Sequence, residues 1–141
     1  QGFQNIKPEF TFGKSRFDFY FEKTNTKSSK TEKILMEVKG CTLEVDGVGY
    51  FPDAPTERGV KHLNELADAV TQGYKSVLAF VIQMEGVTKV LPNVKTHPEF
   101  AMALDNAKNV GVDIIFLQCC VTEESLEIAE CVNNNEKNYL Y

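Results

Sequence analysis

The hydrophobic pattern of residues 34–39, Ile-Leu-Met-Glu-Val-Lys, predicts a β-strand that carries two charged side chains. Side chains two positions apart on a strand share a face. We therefore expect an apolar face directed into the core, formed by Ile34, Met36 and Val38. The opposite face is formed by Leu35, Glu37 and Lys39. An acid and a base on such a strand are costly to desolvate unless they have partners or a chemical task.

Residues 16–21, Arg-Phe-Asp-Phe-Tyr-Phe, predict a second strand of the same kind. Its expected apolar face is formed by Phe17, Phe19 and Phe21. Asp18 lies on the other face, so that two adjacent strands would bring Asp18, Glu37 and Lys39 into one polar pocket. Two close carboxylates can bind Mg²⁺, and a neighbouring lysine can orient or deprotonate a water molecule. A structural ion pair between Glu37 and Lys39 is the alternative.

The remaining elements follow from hydrophobic period and from Pro and Gly signals. In chain order they are a polar exposed loop (22–33), a hairpin turning at Asp46 and Gly47 (41–51), a helix (56–73), a buried strand covered on both faces (75–83), an irregular or edge strand (86–94), a second helix (98–111), a core strand (112–117), a last hairpin arm (122–132) and a polar tail (133–141). This order predicts the α/β class, with a mixed central β-sheet flanked by helices.

The first helix has two different faces. Thr56 is its expected N-cap and Gly73 its stop, and the apolar face contains Val60, Leu63, Leu66, Ala67 and Val70. The opposite face opens with four ionisable side chains, Glu57, Arg58, Lys61 and His62. These groups can reach a phosphate or bind one another, and a solvated helix face is the alternative. Gly59 costs about 1 kcal/mol relative to Ala inside a helix, which indicates a close approach to another backbone.

Composition limits the classes of function. A chain of 141 residues that is 43% hydrophobic fits one domain with a core. The net charge of −5 argues against a generally basic surface, so contact with nucleic acid has to be local, aided by metal, or supplied by another segment or subunit. The four cysteines have no C-x-x-C spacing, which favours reduced, buried thiols over a zinc site. No membrane span or signal peptide is visible, so we expect a cytoplasmic protein; the oligomeric state stays open.

A resemblance rests on residues 49–63, GYFPDAPTERGVKHL, together with residues 15–19 and 37–39. These segments resemble the sugar fermentation stimulation protein A family of bacteria and archaea, over about residues 9–132. The resemblance implies a restriction-endonuclease-like domain of the PD-(D/E)XK class across residues 1–132. It also implies an OB-like N-terminal domain in the family, absent from this chain, and a part in DNA binding and the regulation of sugar metabolism, notably of maltose.

The same resemblance implies roles for individual residues. Asp18 stands where the class has its metal-binding Asp, although Phe17 replaces the preceding Pro, and residues 37–39 stand at (D/E)-x-K. Glu9 is the candidate for an acidic metal ligand from an upstream element, and it matches less closely than the other three. Related nucleases carry accessory residues that touch phosphate or orient the lysine, and these positions are occupied here by Arg58, Lys61 and His62.

Two functions follow. In the first, the domain hydrolyses phosphodiester bonds of DNA with Mg²⁺ or Mn²⁺ held by Asp18 and Glu37, with Lys39 positioning the water. In the second, it is a non-catalytic DNA-binding regulator that keeps a nuclease scaffold. The complete set of two acids and a lysine favours the first function, and the description of the family favours the second. The expected partner is DNA, including single-stranded DNA, bound mainly by the OB-like domain.

Overall fold

The computed structural model describes residues 2–25, 28–122 and 124–133. Within those ranges the elements are β1 (Phe3–Phe12), β2 (Ser15–Thr24), β3 (Thr31–Cys41), β4 (Leu43–Val45), β5 (Val48–Phe51), α1 (Glu57–Thr71), β6 (Lys75–Ile82), β7 (Lys89–Pro92), α2 (Pro98–Val110), β8 (Asp113–Val121) and β9 (Leu126–Asn133). Except for the backbone of Asn133, the predicted polar tail lies outside the described residues.

The strands form two sheets. The larger sheet has the order β1-β2-β3-β6-β8-β9, and the smaller one has the order β4-β5-β7. β3, β6 and β8 are parallel to one another, whereas β1, β2 and β9 join by antiparallel pairing. The chain therefore has a mixed α/β fold with a mixed sheet and two helices, as the order of predicted elements indicated.

The predicted loop between β2 and β3 is shorter than expected because its charged residues extend the hairpin. Glu22 pairs across the strands with Lys33, and Lys23 pairs with Glu32. Opposite charges directly across an antiparallel pair stabilise it by about 0.2–1 kcal/mol. A polar segment without an apolar period can thus still form a strand when its charges match across the ladder.

Both helices begin and end close to the predicted signals. The Thr56 side chain accepts a hydrogen bond from Gly59 N at 2.9 Å and caps α1, and Gly73 after the helix has a φ of +88°. Helix α2 has Pro98 in its first turn and ends at Gly111 with a φ of +110°. No helix in the described part of the chain has the length and apolar character needed to cross a membrane.

The core lies on the face of the sheet that we expected to be polar. Leu35 is fully buried and Glu37 is 3% exposed, and α1 and α2 pack together on this side. On the opposite face Ile34 is buried, but Met36 and Val38 are only half-buried, so the expectation that this face forms the main core was wrong. β6 is buried on both faces, as expected of a central strand, with Leu78 and Phe80 on one side and Val77 and Ala79 on the other. Alternation separates the two faces of a strand, but it does not tell which one the helices cover.

The facing of β2 also differs from the prediction. Phe17 and Tyr20 are buried, whereas Phe19 is 38% exposed. The register of the β1–β2 ladder shifts between Gln4 and Lys7. Further along β1, Glu9 has a φ of +53°, which residues other than glycine rarely adopt. Phe17 and Tyr20, three positions apart, are both buried, so β2 does not keep a strict two-residue alternation.

A substitution at Gly59 would test how closely the start of α1 is packed. A Cβ there would lie 2.8 Å from Thr56 Cγ2 and 3.2 Å from Phe100 Cε2, so its close neighbours are side chains rather than a backbone. We expect Gly59→Ala to lower the free energy of unfolding by about 1–3 kcal/mol, because overpacking outweighs the gain in helix propensity. Asn64→Ala, at an exposed position of the same helix, is the control and should be neutral or slightly stabilising. Chemical denaturation measures both, and a Gly59→Ala protein as stable as wild type would contradict the clash.

Tyr20 generates a prediction for alkaline pH. Burial, followed by its hydrogen bond to Glu22 at 2.5 Å, raises the pKa of Tyr20 from 10.0 to about 12. A raised folded-state pKa contributes stability below pH 10.0, and this contribution is lost as the pH rises toward 12. We therefore expect wild type to lose stability relative to Tyr20→Phe over this interval, as measured by denaturation at a series of pH values. A stability difference between the two proteins that stays constant across the interval would contradict this linkage.

Candidate functional site

A buried carboxylate lies at the centre of the candidate site. The Glu37 side chain, on β3, is 4% exposed. Its Oε1 accepts hydrogen bonds from Lys39 Nζ at 2.6 Å and from His62 Nδ1 at 2.5 Å. Because an ionised carboxylate has no hydrogen to donate, His62 Nδ1 is the donor in this contact when Glu37 is ionised. The carboxylate thus connects two positions of β3 with the inner face of α1.

The second oxygen of the same carboxylate has a different environment. Glu37 Oε2 is buried and has no hydrogen-bond partner among the described residues. An unsatisfied buried acceptor costs about 1–3 kcal/mol, and more when the group is charged. One oxygen of Glu37 is therefore fully engaged, and the other is not.

Asp18 contacts the backbone of the residue that follows Glu37. The last cross-strand pair between β2 and β3 is Phe19–Met36. One position further along β2, Asp18 Oδ2 accepts a hydrogen bond from Val38 N at 2.7 Å, so its side chain continues the ladder where the backbone pairing ends. The contact lies on the residue between Glu37 and Lys39. The structure therefore joins Asp18 to the backbone of β3 between Glu37 and Lys39.

Glu9 occupies a more remote position. The pairs that flank it place Glu9 across from Asp18 in the β1–β2 ladder. Its carboxylate, however, lies 3.6 Å from Arg16 Nη2, and both side chains are largely exposed. Among the described residues, no group of three or more His, Cys, Asp or Glu side chains is arranged to hold a metal ion. The carboxylates available at the centre of the site are those of Asp18 and Glu37.

A cleft rich in cations adjoins the buried carboxylate. It has a volume of about 540 Å³ and is lined by Lys14, Ser15, Arg16, Glu57, Arg58, Lys61 and His62. Four of these side chains are cations and one is an acid, so the cleft is locally positive on a chain whose net charge is −5. Such a concentration of positive charge attracts phosphate groups.

Sequence reasoning found only part of this cleft. It selected Arg58 and Lys61 on α1, but it did not assign a phosphate-binding role to Lys14 or Arg16. These two residues come from the β1–β2 turn and the start of β2, and Lys61 Nζ donates a hydrogen bond to Lys14 O at 2.8 Å. No local pattern signals a contact between residues that are 47 positions apart.

The placement of His62 on the outer face of α1 was wrong. His62 is 3% exposed and belongs to the buried face of the helix. Its ring centroid lies 5.5 Å from that of Phe17, and its Nδ1 is bonded to Glu37. The helical period allowed this position to be read on either side, because it lies at the border between the apolar and polar faces.

Comparison with known proteins identifies the family. The family model described as "Sugar fermentation stimulation protein RE domain" matches residues 1–125. The chain belongs to the sugar fermentation stimulation protein family. A sugar fermentation stimulation protein homolog from Desulfitobacterium hafniense (strain Y51) is 52% identical over 132 residues, which cover 94% of this chain and 55% of that protein. A homolog from Clostridium beijerinckii is 51% identical over 128 residues, covering 91% and 54%.

A solved structure shares the fold. SfsA from Pyrococcus furiosus, determined in complex with Ca²⁺, matches this chain with a TM-score of 0.77 and 28% sequence identity. The match covers 94% of this chain and 53% of the Pyrococcus chain. The chain therefore spans about half the length of the curated family members it matches.

Proposed function

We propose that this domain is a metal-dependent phosphodiesterase that acts on DNA and has a restriction-endonuclease-like core of the PD-(D/E)XK class. The observation that carries the proposal is the buried Glu37 carboxylate, with Oε1 held by Lys39 and Oε2 without a partner among the described residues. Asp18 binds the backbone amide of the next residue, Val38. In this assignment Asp18 and Glu37 are metal ligands, and Lys39 acts on the attacking water.

The energetics of Glu37 favour a chemical task over a structural one. Burying an ion costs several kcal/mol, and replacing a buried ion pair by apolar side chains is often neutral or stabilising by about 1–4 kcal/mol. Lys39 and His62 compensate only one oxygen of Glu37. A fold that needed only stability would be served better by an apolar residue at this position, so the costly carboxylate points to function.

Two carboxylates fit Mg²⁺ or Mn²⁺. Mg²⁺ is commonly held by one or two protein carboxylates, with waters and substrate phosphates completing its coordination. The unpartnered Glu37 Oε2 and the carboxylate of Asp18 are the oxygen atoms that would hold such an ion, with Glu9 as a more distant candidate. When bound, the metal supplies Lewis-acid activation of the phosphate and a lowered pKa of bound water.

The protein's own groups have separate tasks around that metal. Lys39, whose side chain is 17% exposed, presents an ammonium from the same strand as Glu37 and would orient the water. Arg58 and Lys61 would hold the phosphates next to the scissile one, together with Lys14 and Arg16. Because the acidic surface repels phosphate elsewhere, the cleft defines where a strand of DNA approaches.

A non-catalytic role is the second candidate. In that case the domain is a DNA-binding regulator of sugar metabolism, notably of maltose, and the site keeps its residues without cleavage. The lack of a third acidic or histidine ligand in the described part of the chain favours this candidate, and the positive cleft serves it equally well. In either case we propose that an OB-like domain in the remaining half of the full-length protein supplies most of the affinity for DNA.

Substitutions in the site separate the two candidates. We expect Asp18→Asn and Glu37→Gln to abolish Mg²⁺-dependent nicking of plasmid and cleavage of single-stranded DNA, because each removes a metal ligand. Lys39→Ala should abolish cleavage and largely spare metal binding, because an ammonium is not a ligand. The assay is run beside calorimetric metal titration, with Glu85→Gln, an exposed acid, as the control.

The outcomes are distinct. Cleavage that survives all three substitutions removes these residues from the mechanism. If wild type itself does not cleave, the regulator is supported, and neutralising either acid should then strengthen DNA binding by reducing the repulsion of phosphate.

The cleft makes its own prediction for the salt dependence of binding. We expect Arg58→Gln and Lys61→Gln each to flatten the slope of log affinity against log salt concentration. The expected change is about 0.7 for single-stranded DNA and about 0.9 for duplex DNA, because a protein with one phosphate contact fewer releases fewer counterions when it binds. Lys95→Gln makes the same charge change at an exposed position away from the cleft and should leave this slope unchanged. An equal effect of all three substitutions would indicate general electrostatics rather than phosphate contacts in the cleft.

A further inference from the structure

We propose that His62 is a positioning residue for Glu37. It holds Glu37 Oε1 so that Oε2 stays available to the metal ion, and it does not itself act as a phosphate ligand. This inference rests on the proposed metal-dependent function. It assigns to His62 a role different from that of the exposed cations on the same helix.

The ring of His62 is held firmly. Its side chain is 4% exposed, and its neighbours include the buried ring of Phe17. Helix α1, which carries it, is capped by Thr56 and bound to the β1–β2 turn through Lys61. A donor that cannot leave its place without disturbing the core fixes the orientation of the group it binds.

Lys39 alone would not fix the carboxylate. A lysine ammonium is a point charge on a flexible stem with three rotatable donors, so it can bind either oxygen of a carboxylate. The imidazole N–H has one direction, and it is directed at Oε1. Two donors on Oε1 use the two lone pairs of that oxygen, so the binding capacity that remains on Glu37 belongs to Oε2.

Phosphate binding suits the neighbouring residues better. Arg58 and Lys61 are exposed in the cleft, where they can meet a phosphate without desolvating the core. His62 forms only the inner wall of the same cleft, and its Nδ1 is already engaged by Glu37. The contacts of His62 thus place its effect on the metal site.

Two conservative variants test this role. In His62→Asn the amide nitrogen stands as many bonds from Cβ as Nδ1 does, whereas in His62→Gln it stands one bond further away. Calorimetric titration of the 141-residue chain with Ca²⁺ is the measurement, with His97→Asn as the matched control. His97 Nδ1 accepts a hydrogen bond from Thr56 N at 3.2 Å, so that histidine also contacts the start of α1.

We expect His62→Gln to weaken Ca²⁺ binding by about 10- to 100-fold, because the loss of an outer-shell hydrogen bond has an effect of this size. The Ca²⁺ affinity of His62→Asn and of His97→Asn should stay within about threefold of that of wild type. Unchanged Ca²⁺ affinity in His62→Gln overturns the inference, and so does a loss confined to DNA affinity. Equal losses in His62→Asn and His62→Gln, accompanied by equally lowered melting temperatures, also overturn it, since they indicate a structural role only.

Glu37→Gln separates this inference from the proposed function. If wild type binds Ca²⁺ and Glu37→Gln does not, the metal site stands, and the His62 variants alone decide the positioning role. If wild type does not bind Ca²⁺, or if Glu37→Gln binds it as well as wild type does, the metal site fails and the positioning role fails with it.

Discussion

The interaction on which the site depends is the hydrogen-bonded contact of Glu37 with Lys39 and His62. It lies between the central strand β3 and the helix α1, on the buried face of the sheet. Because a carboxylate in this position is costly, the structure tolerates it only with donors of fixed geometry around it. The capping of α1 by Thr56 and its close packing at Gly59 therefore matter for the site, since they set where His62 meets the strand.

The charges of the chain are unevenly distributed around this site. The chain is acidic overall, yet four cations line one cleft next to the buried carboxylate. Two of them come from the region of the β1–β2 turn and two from α1, and the bond from Lys61 to the Lys14 carbonyl joins these elements. A local positive field in a negative surface directs an anionic ligand to one place. An acidic overall composition is thus compatible with one locally positive cleft.

Much of the fold could be predicted from the sequence, because most elements carry strong local signals. The local signals lie in or beside the elements that they predicted: the N-cap at Thr56, the helix stops at Gly73 and Gly111, and the turn at Asp46 and Gly47. The facing of strands could not be predicted, because the helices cover the side of β3 that carries a charge. The burial of both Phe17 and Tyr20 departs from strict alternation along β2, and the cations of the cleft come together through contacts between distant segments. Neither leaves a periodic pattern in the sequence.

Several departures from the ordinary rules of folding lie at or near Asp18 and Glu37. Glu9 has a left-handed backbone, Asp18 replaces a backbone partner in the ladder, and Glu37 Oε2 is buried without a partner. Four other buried side-chain atoms also lack hydrogen-bond partners among the described residues: Ser15 Oγ, Glu65 Oε2, Ser76 Oγ and Gln118 Oε1. The serines and the glutamine are neutral groups, for which the cost is about 1–3 kcal/mol. Glu65 is an acid whose other oxygen lies 3.9 Å from Lys61 Nζ, whereas Glu37 Oε1 is bound by two donors. Local rules are often broken in this way where function requires it, and for that reason the region around Asp18 and Glu37 is a place to look for chemistry.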